Sequence, residues 1–125
     1  MSPPWGALAR GAELYNRRLY YEAHEAWEEL WLELLDEPRR FLQGLIQVAA
    51  AGHKAWAQRQ PRGCVKLLRA ALQKLEGAPA VCLGVEAERF QAGVRRALAE
   101  AEMWLAGRRA GPPDLPGVEL VGPPP

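Results

Sequence analysis

Prolines and glycines cut this chain into pieces whose apolar residues recur at helical spacing, and no other feature constrains its fold as much. Pro38, Pro61, Gly77-Ala78-Pro79 and Gly107 stand between the pieces. Proline disfavours helix in the residue before it and lacks the N–H that a helix interior needs; glycine commonly sits just past a helix end. The spacing predicts helices over about 4–16, 18–35, 38–60, 62–76 and 85–106. Leu8, Ala12 and Tyr15 give the first one apolar face. Val65, Leu68, Leu72 and Leu75 do so for the fourth, and Phe90, Val94, Ala97, Ala101 and Leu105 for the fifth. Strand signals are nearly absent, since β-branched residues are few and period-two alternation is not sustained. The expected fold is therefore all-α, a single-domain bundle of five helices over residues 1–107. Residues 108–125 are too rich in proline and glycine for a regular helix and form a tail. Val118, Leu120 and Val121 would tack that tail to the domain; without such contacts it hangs loose.

A chain of 125 residues suits one domain with its own core, and 49% hydrophobic and 25% charged residues are ordinary for a soluble globular protein. A formal net charge of +1 supplies no long-range field for nucleic acid or acidic membranes. The basic pairs Arg17-Arg18, Arg39-Arg40, Arg95-Arg96 and Arg108-Arg109 are each too short for a nucleic-acid arm. No apolar run approaches the roughly 20 residues of a membrane-spanning helix. Met1 to Trp5 lack the charged and long apolar regions of a signal peptide, so the cytoplasm is the expected compartment. Cys64 and Cys82 lack CxxC spacing and read as reduced, packed thiols.

Phosphate-binding glycine loops are missing, and no motif points to a cofactor. Ser2 is the only serine and sits at the terminus, which argues against a serine nucleophile. The chemistry that remains is concentrated in one segment, His24-Glu25-Ala26-Trp27-Glu28-Glu29-Leu30-Trp31. Tyr20, His24, Trp27 and Trp31 fall on one helical face, and Glu28 sits one turn after His24, within hydrogen-bond reach. On the third segment Leu42, Ile46, Ala49, His53 and Trp56 share a face, with Gln43 and Gln47 at its edge. Its small residues would let a neighbouring helix come close, which suits a central helix. A tight connection near residue 37 predicts an antiparallel hairpin in which residue n faces roughly 74 minus n. His24 then lies opposite residues 50–53, and His24, Glu28 and His53 could meet.

Three readings fit this constellation. A buried histidine and a neighbouring glutamate form a satisfied structural network. Alternatively, the residues line a ligand or metal pocket. In the third, the pair performs acid–base catalysis. Metalloprotease helices need H-E-x-x-H, whereas this segment reads H-E-x-x-E. Di-iron bundles need Glu three residues before His, yet Tyr21 and Ala50 occupy those positions. A mixed site of His24, Glu28 and His53 remains chemically allowed for zinc. Tryptophans beyond what a small core can bury would mark a surface for a partner, a ligand or a second copy of the chain.

The segments Tyr20–Trp31, Phe41–His53 and Arg62–Glu76 resemble the three blocks of domain-of-unknown-function family 309. The resemblance covers residues 14–79. It implies a compact helical bundle in a bacterial or archaeal cytosolic protein and brings no established activity, cofactor or catalytic residue. It marks the positions of His24, Glu25, Glu28, Gln43, Gln47 and His53 as characteristic. The expected function is a non-enzymatic module that binds a protein partner, a small ligand or its own copy at a seam of His24, Glu25, Trp27, Glu28, Trp31, Gln43, Gln47 and His53. The alternative is a hydrolase-like enzyme, metal-dependent or acid–base, using His24, Glu28 and His53.

Overall fold

A computed structural model describes residues 5–121. Among them are five α-helices: α1 (Trp5–Asn16), α2 (Tyr20–Trp31), α3 (Asp36–Gly52), α4 (Pro61–Leu75) and α5 (Ala87–Leu105). A π-helical turn, His53–Ala57, follows α3 directly. The expected helix start at residue 4 and the last four residues of the tail lie outside the described residues.

The all-α expectation holds, with one small addition. Val81–Cys82 (β1) and Val85–Glu86 (β2) pair antiparallel in the register Val81 with Glu86 and Cys82 with Val85. Leu83 and Gly84 make the turn, both at positive φ (52° and 74°). That combination matches the twist of a two-residue hairpin.

The bundle is stacked around α3. This helix packs on α2 along one side and on α4 along the other, while α1 covers α2 and α5 covers α4. Phe41, Leu42, Leu45, Ile46, Val48, Ala49 and Ala51 are all buried, so α3 is apolar around most of its circumference, as a central helix must be. Leu8, Ala12 and Tyr15 of α1 are buried as the periodicity predicts. On α5 the face from Phe90 to Ala101 is buried, but Leu105 is 42% exposed because the helix ends there.

One close approach sets the α1–α2 distance. The Trp27 indole is wholly buried and donates Nε1–H to the Leu8 carbonyl at 3.1 Å. Its ring occupies the place where a side chain on Gly11 would stand, so only glycine fits there. Tyr15 adds a tilted contact to the same ring at 5.8 Å.

The reversals between helices are made by single residues in the left-handed region, Arg18 (φ 62°) before α2, Asp36 (φ 57°) at the start of α3 and Arg59 (φ 53°) before α4. Such conformations are uncommon outside glycine and asparagine or aspartate. The reversal at Asp36 explains a difference from the sequence reading. α2 stops at Trp31 instead of running to residue 35, and Leu32 and Leu35 stand 74% and 73% exposed in the connection.

The described part of the tail lies against the bundle. Pro112, Pro113 and Val118 are buried. Asn16 holds Val118 by a reciprocal pair, Nδ2–H to the carbonyl at 2.8 Å and the backbone N–H to Oδ1 at 2.9 Å. The Tyr15 hydroxyl donates to the Pro116 carbonyl at 2.7 Å, and Leu120 bridges Val85.

Candidate functional site

The buried line of α2 is Tyr20, Ala23, Trp27 and Leu30. Of the expected aromatic stripe, Tyr20 and Trp27 therefore belong to the core. His24 and Trp31 fall at the edge of that line and are half-buried. His24 Nε2 lies 3.2 Å from Glu28 Oε1, one turn along, as the spacing requires. The histidine side chain is 27% exposed and the glutamate 57%, so the pair sits at the rim of the helix pair rather than inside it.

The hairpin register follows the sequence estimate. The Tyr21 ring lies 5.5 Å from that of His53 and 6.3 Å from that of His24, so a tyrosine connects the two imidazoles. His53 faces Gln58 within its own π-helical turn, Nε2 to Nε2 at 3.4 Å. Among the described residues no group of three His, Cys, Asp or Glu side chains converges as metal ligands do. The structure thus joins His24 with Glu28 and sets His53 beside Tyr21 and Gln58.

Glu25, Glu28 and Glu29 occupy the outward side of α2 at spacings of three and four. With Trp31 and Leu32 they form one wall of an open cleft, and Gln43 and Ile46 of α3 form the other; its volume is about 560 Å³. No basic residue lines it. Arg10 lies on the other side of Glu25 and Glu29, in a separate groove against α1. Across Trp31 and Gln43, which belong to both, a second lobe of about 420 Å³ is lined by Asp36, Arg39, Arg40 and Lys74. The Arg39 guanidinium lies 3.7 Å over the Trp31 ring, and Arg40 is anchored on the Gln73 carbonyl at 2.7 Å.

Two buried polar atoms without a partner belong to residues of these lobes, Trp31 and Arg39, and two more, on His24 and Gln47, belong to residues that line neither. Among the described residues four buried side-chain polar atoms have no partner: His24 Nδ1, Trp31 Nε1, Arg39 Nε and Gln47 Oε1. All four lie on α2 or α3. Buried polar atoms in folded proteins are paired in the large majority of cases, with a few exceptions in roughly every 100 residues, so what stands out here is where the four lie and not how many they are.

A family described as a domain of unknown function (DUF309) matches residues 8–67 by its sequence profile. A crystal structure of a conserved hypothetical protein from Thermus thermophilus is 36% identical, with a TM-score of 0.64, over 79% of this chain and 99% of that one. The chain belongs to the DUF309 family. The match to DUF309 runs from α1 into α4 and includes both walls of the cleft, Trp31, Arg39 and Gln43; Lys74 lies beyond it. A comparison with curated proteins gave no match.

Sequence reasoning had named Glu25, Glu28, Trp31 and Gln43 for this site. It missed Glu29, Leu32 and Ile46 in the cleft and Arg39, Arg40 and Lys74 in the second lobe. Ile46 was placed on the α3 face shared with Leu42, Ala49, His53 and Trp56 but not among the site residues, and Arg39-Arg40 stood only as a pair too short for nucleic acid. Lys74 comes from another helix, and periodicity within one helix carries no signal for such a neighbour.

Proposed function

We propose that this DUF309 protein is a binding module whose site is the α2–α3 cleft, and that the part of the ligand seated there is cationic. The observation that carries the reading is the lining of the cleft, where three carboxylates stand with no basic residue beside them and Trp31, whose buried Nε1–H has no partner, is among the walls. Leaving one such atom unmatched costs about 1–3 kcal/mol. A purely structural wall would satisfy that atom, whereas a binding site can hold it ready for an acceptor on the ligand. Glu25, Glu28 and Glu29 line the cleft without a cation among its walls, which supports an ammonium or guanidinium as the occupant. Trp31 and Ile46 give the apolar surface that most ligand sites have. Free, buried Cys64 and Cys82 fit a reducing cytoplasm.

The test is a fluorescence titration with hexylamine, following the tryptophan emission. Binding that is weakened at least about tenfold in a Glu25→Gln, Glu28→Gln, Glu29→Gln variant supports the reading. Equal response from the wild type and that variant, both folded, refutes it.

A further inference from the structure

We infer that the ligand is dipolar, with its ammonium among Glu25, Glu28 and Glu29 and an anionic group, carboxylate or phosphate, in the lobe of Arg39, Arg40 and Lys74. The inference rests on the cleft reading and adds the second half of the ligand. Both lobes share Trp31 and Gln43, so one molecule can pass from one to the other along the indole. Their charges are opposite. Three carboxylates and no cation line the first, while three cations and the single carboxylate of Asp36 line the second.

The orphaned atoms have the right polarity. Trp31 Nε1–H and Arg39 Nε–H are both donors without an acceptor, on side chains stacked against each other. A ligand that is only a cation would leave both unmatched. An anion gives them acceptors, and a charged acceptor makes the stronger hydrogen bond. The guanidinium already rests over the indole, so less side-chain freedom is lost when it engages a carboxylate or phosphate. Arg40 is likewise fixed, by the Gln73 carbonyl at the end of α4. The α3 helix opens at this lobe with no side chain capping its first N–H groups, and the Asp36 and Glu37 carboxylates of that turn offset its positive potential, so the attraction for an anion comes from Arg39, Arg40 and Lys74.

Calorimetric titration of the full chain with four probes tests the inference. The probes are hexylamine, hexanoate, 6-aminohexanoate and 3-aminopropyl phosphate. Binding of 6-aminohexanoate or 3-aminopropyl phosphate at least about tenfold tighter than hexylamine and hexanoate is the expected result. The tighter of the two identifies the anion as carboxylate or phosphate. Arg39→Met should bring the dipolar probes down to the affinity of hexylamine for the same variant. If wild type binds hexylamine as tightly as both dipolar probes, the dipolar ligand is overturned while the cationic cleft stands. If the dipolar probes bind no better than hexanoate and ignore Glu28→Gln, both readings fall.

Discussion

The guanidinium carbon of Arg39 lies over the Trp31 indole, 3.7 Å from its ring centroid, and the Nε of one and the Nε1 of the other are both buried without a hydrogen-bond partner. A stack of this kind contributes about 0.5–2 kcal/mol, depending on how far it is desolvated. An unpaired buried donor costs a comparable amount. The two terms nearly cancel, so Arg39 contributes little net stability and its position is better explained by what it can hold.

Arg39→Met keeps an apolar chain on the indole and removes one orphaned donor. Its unfolding free energy in urea should stay within about 1 kcal/mol of wild type. A loss well above that would assign Arg39 to the architecture of the bundle instead.

His24→Ala should be mild. The sequence alone suggested a buried partner left unsatisfied, worth about 1–3 kcal/mol. Glu28 is 57% exposed, so water replaces the imidazole when it is removed. Exposed i, i+4 pairs contribute about 0.3–0.5 kcal/mol, and the change in stability should remain below about 1 kcal/mol. Chemical denaturation checks this directly.

Gly11→Ala should be severe, against helix propensity. In the middle of an exposed helix the change stabilises by about 0.5–1 kcal/mol. Here the added methyl meets the Trp27 indole. Overpacking of this kind costs about 1–3 kcal/mol, and displacing Trp27 from the Leu8 carbonyl adds the loss of a buried hydrogen bond. The melting temperature should fall, and the fluorescence of the buried indole should shift to the red.

The thiols predict a loss of stability in alkali. Burial pushes Cys64 up to about 11 from an ordinary 9.0. Cys82 also rises to about 11, by burial first and by the nearby Glu37 carboxylate second. A thiol with a raised pKa keeps its proton in the folded chain and loses it earlier when unfolded. The stabilisation is therefore complete below pH 9 and disappears as the pH climbs toward about 11. A Cys64→Ala, Cys82→Ala variant should lose less of its melting temperature over that interval than wild type. Tyr15, raised by burial in the same way, leaves a residual slope in both.

The helices were legible because proline, glycine and a period of 3.6 act within a few residues of one another. The α2–α3 register was legible for a similar reason, since a short connection leaves an antiparallel pair little freedom. The hairpin at Val81–Glu86 was not, because each strand has two residues and its turn places Leu83, not asparagine or glycine, at positive φ. The π-helical turn at His53 was hidden inside a continuous helical pattern. In the site, residues on the buried stripe of α2 were visible as a stripe. The acidic wall was visible only in part, and the basic lobe was lost because Lys74 meets Arg39 and Arg40 through the packing of α4 on α3. His53 shows the limit of register alone: the estimate brings it to the right level of α2, where it packs beside Tyr21 and faces Gln58, while Glu28 pairs with His24.

The central claim is that the unpartnered donors of Trp31 and Arg39 wait for a ligand. It is tested most directly by following the Trp31 Nε1–H and Arg39 Nε–H resonances in nitrogen–proton correlation spectra during titration with 6-aminohexanoate. Both signals should move downfield in a saturable way while the Trp27 Nε1–H, already bonded to Leu8, stays fixed. Unchanged Trp31 and Arg39 signals, or movement spread equally over all the indoles, would contradict the account.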